Sequence, residues 1–427
     1  MDSSSARHAL ATWPLLLGMG MLMLGAGLQG TLIGLRATME GFMPFVTGVV
    51  MSCYYVGYIG GSVWTPVLLQ RVGHIRVFAA LTAVASVTIL LQAAFVTPIW
   101  WGALRLVSGL CFAGIYVVAE SWLNGRATNE NRGTLLALYM LTLYGGLGGG
   151  QYLLTLADPA GPMLFLLISV TISLAVVPMS LSVQRAPEFE IPRKIRYREI
   201  YRQSPMGVVA VIISGVVTSS IFSMGPVYAQ LSGLDPSEIA TFMGVSILAA
   251  VITQLPIGRW SDRTDRRTVL IAICLIALVA AIAAAIIGTE SKAILFILAA
   301  AFGGIALTLY SLSVSHINDH LAADEIVSAS SAVVTLNGLG SIVGPLIVSL
   351  MMKYYGPPAY FFSLAGMLGT LVLYAAWRKI RRAAVPTYFK LPFINVQPQA
   401  VSGQMMAQVA HDAAVASADD APHREAL

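Results

Sequence analysis

The chain has 427 residues, 57% hydrophobic and only 11% charged, with a mean hydropathy of +0.78 and a formal net charge of +5. Soluble globular domains carry about 25% charged residues; a water-soluble fold has nowhere to hide this much apolar surface, so the membrane class follows. The modest positive charge lies in short loops rather than on one face, which argues against nucleic-acid binding.

A spanning helix needs about 20 mostly apolar residues. Twelve such segments follow one another: 14–35, 44–69, 75–96, 99–123, 132–156, 160–183, 205–230, 237–258, 267–288, 292–315, 325–352 and 357–380. Arg7 precedes apolar residues from Trp13 with no small-residue cleavage site, so the first span reads as an uncleaved helix. The sequence therefore predicts an all-α membrane protein. It has a six-helix bundle over 1–183, a charged cytoplasmic connector at 184–204, a second six-helix bundle over 205–382 and a disordered cytoplasmic tail at 383–427. Cys53, Cys111 and Cys274 each lie in an apolar run and read as core-filling thiols; no metal site or disulfide is expected.

Orientation follows from Lys and Arg. With the N-terminus in the cytoplasm, 21 of the 25 basic residues fall on that side. Arg36, Lys292 and Lys353 fall outside, and Arg105 alone lies within a span. Both termini are expected in the cytoplasm. The halves also resemble each other. Shifted by 194 residues, Ser315 and Asn318 fall on Ser121 and Asn124, Gly303 on Gly109, and Gly340 and Gly344 on Gly146 and Gly150. Parallel repeats of this kind build many secondary transporters.

Four features carry chemistry. Gly258, Asp262, Arg263, Arg266 and Arg267 stand at fixed spacing between spans eight and nine. A glycine one turn before the aspartate lets two helices approach, and the charges can form a latch at the membrane surface. Arg105 is costly in lipid, by roughly 3 kcal/mol on insertion scales, so it faces a cavity or snorkels to the headgroups. Glu120 ends span four, about 22 Å along the helix from Arg105. A carboxylate at a helix C-terminus opposes the macrodipole, so it is expected to pair with Arg71, Arg76, Arg126 or Arg132 on the same membrane face. No carboxylate falls in the middle of a span; His316 is a candidate for titration near neutral pH, with a capping or gate role at the cytoplasmic end as the equal alternative.

The loop from Gly258 to Arg267 resembles the signature of the major facilitator superfamily, with Asp265 where a glycine is usual. The first-half loop keeps Arg71, Gly73 and Arg76 but has Pro66 for the glycine and Gln70 for the aspartate, which puts a carboxylate latch there in doubt. The string AESWLNGRATNENRGTLLALYM, residues 119–140, is similar to the YcaD-like bacterial branch, and the layout of all twelve spans fits. In the superfamily, spans one, four, seven and ten line a central cavity. That resemblance implies Gln29, Arg36, Arg105, Tyr116, Ser219, Ser223, Tyr228, Tyr310 and Ser311 as substrate-binding candidates, with packing as the competing role of each Ser and Tyr. Tyr54, Tyr55 and Tyr58 fit cavity or core equally. Drug antiporters carry a Gly-Pro pair in span five. The glycines around Tyr144 include no proline, and Pro345 follows Gly344 in span eleven instead, which weakens proton-driven drug export.

The expectation is a monomeric, multi-pass transporter of the bacterial inner membrane. It moves small molecules by alternating access, without a cofactor and with protons as the candidate coupling ion. Amphipathic or drug-like compounds suit the apolar helix faces, and uptake of a small organic anion, motivated by Arg105, is the alternative. A membrane-embedded sensor or lipid enzyme would need a signalling domain or a nucleophile or metal cluster, and the scattered histidines offer none.

Overall fold

The computed structural model describes residues 3–128, 131–181, 196–381, 390–393, 395 and 409–412, with side chains from Thr12 onward except at 323 and 324. Most of the expected connector and tail lie outside the described residues. All regular structure among the described residues is helical: α1 (Ser3–Met39), α2 (Pro44–Val72), α3 (His74–Ala94), α4 (Pro98–Asn124), α5 (Arg132–Gln151), a 3-10 turn (Tyr152–Leu156), α6 (Met163–Leu174), α7 (Val176–Ser180), α8 (Tyr197–Gln203), α9 (Pro205–Leu231), α10 (Pro236–Arg263), α11 (Arg266–Ile287), α12 (Lys292–Asn318), α13 (Ala323–Tyr355) and α14 (Ala359–Arg381). Eleven spans are long and apolar enough to cross a membrane, α6 and α7 together making one. The twelfth expected span is α5, whose glycine-rich second half lowers its hydropathy.

Local chemistry sets the helix ends. Pro44, Pro98, Pro205 and Pro236 open their helices, where a missing N–H costs nothing. Asp235 and Glu238 form a reciprocal capping box on α10, with bonds of 2.9 and 3.0 Å. Asp265, the departure from the superfamily signature, caps α11 by accepting the Arg267 N–H at 3.0 Å. Gly73 has φ +87° and turns the chain between α2 and α3, a conformation costly for any other residue.

Helices pair in the same way in both halves. Within the first, α2 packs on α4 and α1 on α5; within the second, α10 packs on α12 and α9 on α13. Small residues let the backbones touch, as lipid-embedded helix pairs require. A Cβ at Gly109 would lie 1.9 Å from the Tyr54 carbonyl, and one at the repeat-related Gly303 would lie 2.5 Å from the Ser246 carbonyl. Gly146 and Gly150 seat α5 on α1, and Gly340 and Gly344 seat α13 on α9. The matches at a spacing of 194 residues therefore mark equivalent contacts. The halves meet where α2 packs on α13, α5 on α10 and α1 on α9. Outward positions remain apolar: Ile252 is 75% and Leu373 74% exposed, a surface suited to lipid.

Part of the segment expected to be disordered is instead packed. Leu391, Phe393, Val409 and Ala410 join the hydrophobic core, because these apolar side chains find a groove at the end of the bundle. Replacing Gly57, whose Cβ would lie 1.8 Å from the Leu106 carbonyl, by valine should destabilise the protein by more than about 3 kcal/mol, above the usual over-packing range. Gly60→Val, at an open position one turn away, should be tolerated. Thermal unfolding in detergent distinguishes the two, and equal stability would contradict the close-contact account.

Candidate functional site

A polar cavity lies at the seam, lined by α1, α2, α4, α5 and α9. It brings together four expected residues, Gln29, Arg105, Tyr116 and Ser223, and adds Thr31, Tyr54, Tyr55 and Gln151. Arg105 is 5% exposed, and its guanidinium carbon sits 4.3 Å over the Tyr54 ring. Its Nε is buried without a hydrogen-bond partner, and no carboxylate pairs with it among the described residues. Gln29 donates to Ser108 Oγ at 3.2 Å, and Gln151 donates to the Gly27 carbonyl at 2.9 Å while accepting from Thr31. The cavity holds about 40 Å³, room for about two or three waters. Ligand sites run to roughly 300–1,000 Å³, so the cavity as it stands is smaller than a typical ligand site.

At the end away from the basic loops, α1 and α9 close over the cavity: a Cβ at Gly34 would lie 3.3 Å from Pro226. Among the described residues, no comparable packing joins α4 to α12. Toward the basic end, Tyr58 and Tyr116 meet edge to face at 6.4 Å, and Gln254 of α10 donates to the Tyr144 hydroxyl of α5 at 2.9 Å.

Glu120 does not sit at a solvated helix end. It is 3% exposed, four residues inside α4, within electrostatic reach of Tyr58, Tyr116, Tyr139 and Tyr310. Tight packing around α4 continues past the point where its charged residues suggested water. Of the arginines expected beside it, Arg71 and Arg76 are exposed, Arg126 lies over Trp122 and Arg132 pairs with Asp412.

Other candidates fall elsewhere. Arg36 is held at the far end of α1 by Glu40 at 2.6 Å and the Pro159 carbonyl. Tyr228 stacks on Tyr360 at 5.0 Å, inside an aromatic core with Phe242 and Phe361. Ser219 lines a separate small cavity with Tyr54, Tyr58 and Asn337. Tyr310 and Ser311 are buried on α12 outside the Arg105 cavity.

Of the expected latch cations, Arg266 is the one that meets Asp262, and it takes Asp319 as a further partner. Arg266, 1% exposed, donates from Nε to Asp319 at 2.6 Å, from Nη1 to Ser261 at 2.8 Å and Asp262 at 3.3 Å, and from Nη2 to the Leu391 carbonyl. Burial pushes the Asp319 carboxyl up, with the Arg266 guanidinium opposing. Arg267 pairs with Asp265 at 2.9 Å, and Arg263 is exposed. His316 is buried against His320, with ring centroids 4.7 Å apart, beside the same arginines. In the first half the corresponding contact is neutral: His74 Nε2 meets Ser121 Oγ at 2.9 Å.

Two repeated six-helix bundles closing on a polar cavity define a polytopic membrane transport protein. The model of the Major Facilitator Superfamily matches residues 15–289 and again 208–395, and the chain belongs to that superfamily. An uncharacterized MFS-type transporter, YcaD of Escherichia fergusonii, is 29% identical over 355 residues, covering 83% of this chain and 92% of that one. YcaD of Salmonella arizonae is 28% identical over 357 residues, with the same coverage. The solved nucleoside transporter NupG superposes with a TM-score of 0.70 at 13% identity, over 86% of this chain and 98% of that one. A bacterial homolog of the human lysosomal transporter Spinster, inward-facing and unoccupied, gives 0.67 at 12% identity, over 98% and 96%. The protein is a membrane transporter of small molecules.

Removing one member of a buried ion pair costs about 3–5 kcal/mol, because the other charge is left without compensation. Asp319→Asn should therefore lower stability by that amount. The paired change Arg266→Met with Asp319→Leu should recover most of it. Thermal unfolding of the purified protein checks both, and an Asp319→Asn variant as stable as the parent would overturn the latch as described.

Proposed function

We propose that the protein is a secondary active carrier that moves a small organic anion across the bacterial inner membrane by alternating access. The two halves rock about the seam. The observation that supports this substrate class is Arg105: a buried cation in the cavity wall, with Nε unsatisfied and no paired carboxylate among the described residues. An intramembrane charge calls for a partner, and a carboxylate or phosphate on the substrate supplies acceptors of matching geometry. Tyr54 steadies the guanidinium through its ring face without consuming hydrogen-bond donors. Gln29, Gln151 and Ser223 add neutral polar contacts around it.

Glu120 is the proposed proton carrier. It is buried on α4 among tyrosines contributed by both halves, and intramembrane carboxylates in such settings serve as proton relays. A proton on Glu120 offsets the charge of a monoanionic substrate during transit. The excess of Lys and Arg in the loops on the latch face supports a cytoplasmic orientation for it, by the positive-inside rule. The α1–α9 contact then closes the outer side. A second reading, carriage of amphipathic or drug-like compounds, draws on the aromatic lining from Tyr54, Tyr55, Phe112 and Phe222.

Flux into liposomes holding the purified full-length chain tests these readings, over a panel of small carboxylates, phosphates and amphipathic cations with and without a proton gradient. Arg105→Ala should lower anion flux by up to about 100-fold, in line with losing a charge-assisted bond of up to ~3 kcal/mol, and leave folding intact. Glu120→Gln should retain substrate exchange but lose its response to the gradient. Cation transport unaffected by Arg105→Ala would reject the anion reading in favour of the second.

A further inference from the structure

The described residues of the tail are bound at the basic end of the bundle, and they touch both halves. Lys390 to Phe393 cross the ends of α10, α11 and α12. The Leu391 N–H donates to Asp319 at 3.1 Å, and the Leu391 carbonyl accepts from Arg266. The Phe393 N–H donates to Asp262 at 2.9 Å. Lys390 Nζ donates to the Thr264 carbonyl at 2.7 Å. Two carboxylates thus read main-chain N–H groups two residues apart, the period of an extended strand. The Phe393 ring lies on Gly258, where any Cβ would come within 2.4 Å of it. The signature glycine therefore provides the seat for an aromatic side chain. On the other half, Asp412 pairs with Arg132 at the start of α5, and Ala410 is fully buried. Phe393 and Val409 line one cavity of about 330 Å³ at the seam, together with Leu136 and Met140 of α5 and Leu255 of α10.

We propose that Asp262, Arg266, Asp319 and Gly258 form a binding site for an extended peptide, and that its ligand is the chain's own segment 390–393. With Asp412 paired to the first half, and Phe393 and Val409 lining a cavity shared by α5 and α10, the segments 390–393 and 409–412 act as a strap that bridges the two halves at the basic end and so restrains the opening of that side. A tethered peptide meets its site at millimolar effective concentration, so individually weak contacts hold it and it still releases. Separation of α5 from α10 loses the tail contacts at the seam cavity, which couples strap release to opening. Asp262 and Arg266 then serve two ends, a helix latch and a peptide clamp. This inference rests on the rocking motion proposed above.

The test measures distances by double electron–electron resonance in the full-length chain, with Cys53, Cys111 and Cys274 replaced by serine. Spin labels go at Thr128→Cys and Ala322→Cys, exposed positions on the α4–α5 and α12–α13 turns. Phe393→Ser and Asp412→Arg both alter the tail rather than the helices. Each should raise the ratio of long to short distances about tenfold. Adding Arg132→Asp to Asp412→Arg restores the ion pair with reversed charges and should bring the parent distribution back. If a pH series shifts the distances equally in parent and variants, the halves rock but the strap is rejected. A single unchanging distance in every variant and condition rejects both the strap and the rocking motion beneath it.

Discussion

The fold is governed by the cost of leaving a polar group in hydrocarbon. Every main-chain donor and acceptor that meets lipid must be satisfied within its own segment, so the chain crosses only as helices. The same constraint drives polar side chains inward, to the surfaces where helices face one another. Gln29, Gln151, Ser223 and Arg105 gather at the one seam that two bundles share. Close helix contact is the condition for this gathering, and glycines at Gly57, Gly109, Gly146 and Gly150 supply it in the first half. With the backbones in contact, little room is left except at the seam, and that is where the cavity forms.

Both halves follow one plan with different chemistry at their basic ends. His74 and Ser121 join α3 to α4 by a neutral hydrogen bond. Arg266 and Asp319 join α11 to α12 by a buried ion pair that also takes in Ser261, Asp262 and Leu391. The second half is the more strongly tied at this end, because a charged hydrogen bond is roughly twice as strong as a neutral one. The Gln70 that replaces the usual aspartate fits this asymmetry, since it stands exposed on α2.

Much of the architecture was legible because hydropathy acts along the chain. Spans beginning at Pro44, Arg132, Pro205 and Lys292 start where apolar runs and helix-opening residues place them. The repeat could be read because its glycines perform the same steric task in each half. The site was less legible because facing is a property of packing. Arg36 and Tyr228 lie on helices expected to line the cavity, yet one pairs at the helix end and the other stacks in an aromatic core. Glu120 was read as a gate residue at the helix end, facing the basic loops, because helix ends were placed by charge, whereas neighbouring helices bury it. Sequence reading missed Gln151, Asp319 and the packed tail. Each left a signal: a glutamine at the end of a glycine-rich span, an aspartate beside the repeated Ser-x-x-Asn, and Leu391 with Phe393 in an otherwise polar segment.

The interface between the halves has a mechanical consequence. Its polar links inside the hydrocarbon region include Ser52 to the Ile342 carbonyl at 2.8 Å, Gln254 to the Tyr144 hydroxyl at 2.9 Å, and Tyr55 with Ser223. Most of the remaining contact is apolar and has no preferred direction. Such a surface resists separation but offers little friction to sliding, since a side chain moving by part of a helical turn exchanges one hydrocarbon neighbour for another. Under the rocking motion proposed above, such a seam acts as a bearing rather than a weld.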